Sequence, residues 1–271
     1  AAGVETTALT GVGVGSPGEI DAAAGTVTQA RNLPDWEGSY PLAAELSDLL
    51  GAPVALGNDV TVATAAEAEL GAGRGFGSLL GVFWGTGVGG GIVLDGRPWV
   101  GRGAAGELGH VVVRIGGRRC PCGRRGCLEA YAGRGSMEAR ARELAGEGRA
   151  TKLFELMEKH GRDRLTSGIW ARALERDDAL AHEIVGEAVE ALGAGVASAV
   201  NLLDVEAVIL GGGLGTKLGE PYREHVKAAM LPHLFGDDDP PAVRLAELGD
   251  LGGAIGAALL ARPQGGGAPN G

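Results

Sequence analysis

The most specific chemistry in this sequence lies in residues 106–129, where His110 stands upstream of Cys120, Cys122 and Cys127. Those are the only cysteines of the chain. Three thiolates and one imidazole make the ligand set of a closed tetrahedral zinc site. With no position left for water, the metal is expected to be structural rather than a Lewis acid. The C-x-C-x4-C spacing demands a tight knuckle, and Gly116, Gly117, Gly123 and Gly126 permit the sharp turns. Glu107 and Glu129 flank the cluster. If 106–110 forms a helical turn, Glu107 and His110 share a face. A metal-bound imidazole keeps its second nitrogen for an outward hydrogen bond. The expectation is a zinc-fixed His110 that points, with both glutamates, at one polar ligand.

Three further features bear on reaction type. Asp59 stands at a strand-to-helix junction, where α/β folds place functional residues. Phosphoryl transfer asks mainly for positioning, charge neutralisation and a carboxylate to accept the hydroxyl proton, and Asp59 suits that last part. Asn58 or Asp59 equally suits the N-cap of the helix that follows, and the local sequence does not choose between the roles. Gly85, Thr86, Gly87, Val88, Gly89, Gly90 and Gly91 read as a glycine-rich tip between two strands. Backbone N–H groups there can meet phosphate oxygens, and Thr86 adds a hydroxyl donor. The tip is neither a Walker loop nor a dinucleotide fingerprint, since it joins two strands and lacks the Lys-Ser/Thr ending. Gly211, Gly212 and Gly213 close an apolar strand, where a nucleotide base or ribose can lie against bare backbone. Together the three suggest phosphoryl transfer to a sugar hydroxyl.

The elements that must position these groups read as an α/β protein. Strands are expected at 10–16, 53–56, 79–84, 92–94 and 205–210, and helices at 42–50, 60–70, 136–160, 179–203, 222–231 and 249–261. Leu180, Ile184, Ala188, Leu192 and Val196 form an apolar stripe at four-residue spacing, as a core helix requires. The Gly-rich break at 71–77 divides the chain. Residues 1–76 make a first α/β domain, completed by the helix at 249–261. Residues 77–248 make a second that carries the knuckle, and 262–271 a disordered tail. At 271 residues the chain can bury a sizeable core.

A net charge of −10 argues against a nucleic-acid surface, and Arg118, Arg119, Arg124 and Arg125 read as a solvated knob around the knuckle. No apolar run approaches the ~20 residues of a membrane span, and no leader-like segment is recognised. A cysteine set confined to a metal-like cluster fits a reducing compartment, so the cytoplasm is expected.

GNDVTVATAAEAELGAG at 57–73, WGTGVGGGIVLDG at 84–96, GAAGELGH at 103–110, CPCGRRGCLEAYAG at 120–133 and VILGGGL at 208–214, in this order, resemble the ROK family of repressors, open reading frames and sugar kinases. The resemblance is best to its bacterial ATP-dependent glucokinases. It implies an actin-like, ribonuclease-H-like fold of two α/β domains with sugar and ATP in the cleft between them. By motif it makes Asp59 the general base, with Asn58, Glu107, His110 and Glu129 on the sugar hydroxyls and Gly18 and Asn32 lining the sugar. It gives the ATP phosphates to 85–91, the adenosine side to 211–213, and zinc to His110, Cys120, Cys122 and Cys127. Glucose or a related hexose is the implied partner, ATP with Mg²⁺ the co-substrate, and a dimer or tetramer the implied assembly. Alternatives are a kinase for N-acetylglucosamine, N-acetylmannosamine or fructose, or a sugar-sensing repressor of the same family. A sensor needs neither Asn58-Asp59 nor the glycine turn. The sequence departs from the family pattern in one respect: no D-x-G-G-T-K-like phosphate loop occurs in it. The expectation is a chain truncated ahead of its first strand, with weak or no kinase activity from residues 1–271 alone.

Overall fold

The computed structural model describes residues 8–29, 38–236 and 238–262. Asn32 and the expected tail beyond residue 262 lie outside them. In chain order the elements are β1 (Val12–Ser16), β2 (Glu19–Asp21), β3 (Thr26–Thr28), β4 (Ser39–Tyr40), α1 (Leu42–Leu50), β5 (Val54–Asn58), α2 (Asp59–Leu70), β6 (Leu79–Trp84), β7 (Val88–Leu94) and β8 (Arg97–Pro98). They continue with α3 (Glu129–Ala132), α4 (Arg134–Gly146), α5 (Leu153–Lys159), α6 (Ser167–Leu174), α7 (Ala179–Leu203), β9 (Ala207–Gly211), α8 (Gly212–Met230), β10 (Ala242–Leu245) and α9 (Gly252–Leu260). A 3-10 turn at Leu108–His110 takes the place of the expected helical turn.

Three sheets form among the described residues. The largest runs β10-β9-β6-β7-β8, with β10, β9 and β6 parallel, β7 alone reversed, and β8 antiparallel to β7. β1 pairs parallel with β5 in a register that sets Ser16 beside Asn58. β2, β3 and β4 form a small antiparallel sheet. Helix α7 is the spine of the main core: Leu180, Ile184, Ala188, Leu192 and Val196 are all buried, as the four-residue stripe requires. Trp84 and Trp170 are fully enclosed in the same cluster.

Several expectations need correction. The glycine tip is shorter than 85–91, because Val88–Leu94 is strand and Trp84 pairs with Val88. The glycines within that strand serve packing. A Cβ on Gly89 would lie 2.6 Å from the Val60 side chain, and one on Gly91 2.1 Å from Thr64 Oγ1, so both let α2 press on the sheet. Residues 136–160 form two helices, α4 and α5, separated by a turn with Gly148 at φ +91°. The helix expected from 222 follows a break at Gly219 (φ +67°, ψ −154°), and a further helical segment from Gly212 precedes it within α8.

Between the first sheets and the large one, the chain crosses near 71–77 and again near 246–249. One side chain grips both crossings. Glu67, 1% exposed on α2, accepts hydrogen bonds from the backbone N–H groups of Ala72 (2.9 Å), Glu247 (3.1 Å) and Leu248 (2.8 Å). Beyond the second crossing, α9 packs on α2 and β1. Truncating Glu67 leaves three donors without an acceptor, each costing about 1–3 kcal/mol. Glu67→Ala is therefore expected to lower unfolding stability by about 3 kcal/mol or more, read as a fall in the urea midpoint. Glu67→Gln, which keeps one acceptor oxygen, should lose less.

Candidate active site

The knuckle is held by backbone before any ligand is considered. Val112 bridges Cys127 and Arg119 bridges Arg125. Cys120 N–H donates to Arg124 (2.8 Å) and Leu128 N–H to Val111 (2.8 Å). At Gly126, φ is +81° and a Cβ would fall 1.8 Å from the Arg114 carbonyl oxygen, so only glycine closes this turn. Leu128 seats the knuckle against α7 at Gly195. Arg118 corrects the reading of a wholly solvated basic knob. Its guanidinium makes a bidentate pair with Glu187 on α7 (3.0 and 2.7 Å) and lies over the Tyr131 ring. Arg119, Arg124 and Arg125 are exposed.

This frame gathers His110, Cys120, Cys122 and Cys127 so that one ligand atom from each lies within 4.8 Å of the others. The Cys122 and Cys127 sulfurs are 3.8 Å apart, and Cys120 Sγ is 3.9 Å from His110 Nδ1. Tetrahedral zinc with bonds of about 2.3 Å to sulfur and about 2.0 Å to nitrogen sets its ligands about 3.5–3.8 Å apart. Two of the pairs stand at about that spacing and the whole set lies within 4.8 Å, so the four residues suit that ion with small side-chain shifts. Two of the three thiols resist ionisation: burial pushes Cys120 up to about 12. Burial also raises Cys127, whereas at Cys122 the same burial is outweighed by hydrogen bonds, from the Arg124 backbone among others, so its pKa falls. With Nδ1 toward the sulfurs, His110 turns Nε2 to Glu107, 3.8 Å from Oε2.

The start of β7 is where the other groups meet. Glu129 accepts a hydrogen bond from Val88 N–H (3.0 Å) and lies so close to Gly87 that a Cβ there would be 2.2 Å from Oε2. Gly109 abuts the Val88 carbonyl, and Gly106 abuts Gly90. From the opposite side, Val60 of α2 rests on Gly89. Asn58, Asp59, Glu107, His110 and Glu129 thus belong to segments that converge on one strand end. Asn58 is the N-cap: its Oδ1 accepts from Val60 N–H (3.0 Å) and Thr61 N–H (3.2 Å), while its amide donates to the Gly18 carbonyl (3.3 Å). Asp59 opens the helix and accepts from Val60 N–H at 3.0 Å. Its side chain reaches solvent, yet protein on its inner side strips away enough water to raise its pKa, against the pull of that N–H.

The two glycine stretches also come together. The 85–87 turn closes with a Gly85 N–H to Gly87 bond of 2.9 Å, and a Cβ on Gly85 would meet Gly213 N at 3.8 Å. Gly212, at φ +80°, rides over the Trp84 backbone with no room for a side chain. Gly211 ends β9 while Gly212 and Gly213 begin α8, so the strand's glycine end runs directly into a helix N-terminus. Two side chains at this junction escape a reading by motif: Arg134 and Ser167. Both are contributed by helix starts distant from the turn in sequence. The only signal at Arg134 is its place directly after the glycine that closes the 120–133 segment.

The sequence matches the ROK family over residues 2–264. The chain belongs to the ROK family. Among its relatives, a glucokinase of Halalkalibacterium halodurans is 36% identical over 261 residues, covering 94% of this chain and 77% of that protein. An N-acetyl-D-glucosamine kinase of Erwinia tasmaniensis is 35% identical, over 92% of this chain and 79% of its own length. The crystal structure of a ROK family glucokinase from Streptomyces griseus, in complex with glucose and AMPPNP, matches with a TM-score of 0.80 at 33% identity, covering 94% of this chain and 82% of that one. The fold is therefore the actin-like, ribonuclease-H-like α/β fold of ROK sugar kinases. No helix among the described residues is long and apolar enough to cross a membrane.

A bound metal should be measurable directly. Purified protein is expected to carry one zinc per chain by elemental analysis. Because protons compete for thiolates and imidazole, the metal should leave as pH falls. Cys122→Ser should lose the metal and weaken glucose binding together. Loss of zinc with unchanged glucose affinity would show that the ion does not orient His110.

Proposed function

We propose that this chain transfers the terminal phosphoryl group of ATP to the 6-hydroxyl of a hexose, glucose foremost. That it is a phosphotransferase of the sugar-kinase class follows from its family and its relatives. What supports the finer reading is that Glu129 touches Gly87 and Val88, that Gly106 and Gly109, from the segment of Glu107 and His110, abut the same strand, and that Val60, next to Asp59, rests on Gly89.

In this reading Asn58, Glu107, His110 and Glu129 hold sugar hydroxyls, and Gly18 lines the sugar through the contact its carbonyl makes with Asn58. Zinc on His110, Cys120, Cys122 and Cys127 keeps the imidazole oriented; its contribution is rigidity. Asp59 takes the proton of the 6-hydroxyl as that oxygen bonds to the γ-phosphorus. The bond from phosphorus to the bridging oxygen breaks, and ADP departs with the electron pair. The 85–87 turn supplies N–H donors to the phosphates, and 211–213 borders the nucleoside. Mg²⁺ suits this site as a companion of the phosphates, which it binds with few protein ligands. Among the described residues the one cluster of three or more ligating side chains is the sulfur-rich set, which suits zinc instead.

The same reading divides the molecule at 71–77, with 249–261 completing the first domain and 77–248 forming the second. It also carries a cytoplasmic location and a homo-oligomer, dimer or tetramer. The nearly equal identity to an N-acetyl-D-glucosamine kinase makes that sugar the second to test.

A coupled assay with ATP across a hexose panel, run on a form that also carries the family's D-x-G-G-T-K-like phosphate loop, tests the substrate, and phosphorylation of none of them would end the proposal. Weak or no turnover is expected of residues 1–271 alone. Asp59→Asn is expected to lose about 10²–10⁴-fold in turnover while glucose affinity stays. Because the base must be ionised and its pKa is raised, turnover should fall on the acid side at a pH above the usual carboxylate range. Full activity in Asp59→Asn would remove Asp59 from this role.

A further inference from the structure

Arg134 is half-buried at the first position of α4. Its guanidinium donates to Thr86 Oγ1 (2.9 Å) and to Ser167 Oγ (3.1 Å). No carboxylate lies within ion-pair distance of it among the described residues. Glu138, one turn along the same helix, is committed elsewhere: it pairs with Arg142 (2.7 Å) and accepts from Leu165 N–H (2.9 Å). Burial pulls the Arg134 pKa down and the charge of Arg164 adds to it, against Glu138. A guanidinium has five N–H donors and no acceptor, and a half-buried cation lacking a counter-charge is costly. Backbone bonds hold it beside the turn: Arg134 N–H donates to the Gly85 carbonyl (3.1 Å) and Gly135 N–H to that of Thr86 (3.2 Å). Each hydroxyl that accepts from Arg134 keeps its own proton to give away. Ser167 Oγ also stands against Gly213, 3.6 Å from where a Cβ would be.

We propose that Arg134 is a phosphate-binding residue that, with the Thr86 and Ser167 hydroxyls, clasps the polyphosphate of the nucleotide between the 85–87 turn and Gly213. The assignment rests on the kinase reading and goes beyond it by naming the cation that neutralises the transferred phosphates on this side. Planar guanidinium suits bidentate contact with phosphate oxygens, and lysine at the same place supplies a point charge only.

The test is titration calorimetry on the chain itself with ATP, AMP and glucose as separate probes, for the wild type, Arg134→Gln and Arg134→Lys. Arg134→Gln is expected to weaken ATP at least about tenfold, with AMP and glucose affinities within about threefold of wild type. Arg134→Lys should fall between the two for ATP. It carries the test alone if Arg134→Gln does not fold. Equal loss of ATP, AMP and glucose binding would mark Arg134 as structural and overturn the proposal. So would ATP affinity unchanged in both variants. Wild type that binds glucose but no ATP would bring down the kinase reading itself, a result distinct from failure at Arg134.

Discussion

Helix α2 lies against backbone rather than against side chains, and the site depends on that close approach. Gly81 and Gly91 face Thr64, Gly89 faces Val60, and Gly256 of α9 faces the Val62 carbonyl. Packed cores have few voids, so an added methyl at any of these positions would have to move a helix. The approach brings the N-terminus of α2, with Asn58 and Asp59, onto the first residues of β7. The same strand meets Gly106, Gly109 and Glu129 on its other side. One bare strand end thus receives Glu129, the 106–109 backbone and the first turn of α2 from segments far apart in sequence.

The knuckle solves a different problem. A glycine- and arginine-rich loop has little apolar surface with which to hold itself in place. Here Leu128 packs on α7, Arg118 pairs with Glu187, and Tyr131 lies beneath two guanidinium groups. The sulfurs and His110 Nδ1 then stand at distances suited to a tetrahedral ion, with the second imidazole nitrogen aimed at Glu107. One ring nitrogen faces the sulfurs and the other faces a carboxylate.

Glu67 shows how the two crossings of the chain are tied. A buried carboxylate facing three backbone donors is satisfied only while 71–73 and 247–248 lie side by side. Its partners are main-chain groups, so neighbouring side chains can vary without loosening it. The contact couples the segment leaving α2 to the segment entering α9, and both of those helices pack against β1.

Much of this was legible in the residues themselves. Cysteine and histidine spacing picked out four residues that the fold does bring together, because a closed zinc site has few chemical solutions. Four-residue periodicity marked α7 and the apolar run marked β6, because buried surface repeats with the period of its element. Asn58 against Asp59 as N-cap was undecidable locally; in the structure Asn58 takes it, its Oδ1 accepting from Val60 and Thr61 N–H while its amide reaches Gly18. The glycine run was misjudged at 88–91 for a related reason: glycine in a strand and glycine in a turn look alike until something packs on it. Arg134 beside Thr86 and Ser167 was invisible, since 48 and 33 residues separate the partners. Composition and spacing determine which groups are available and which elements form. Long-range packing alone decides which of them face one another, because that choice is made by contacts no local stretch contains.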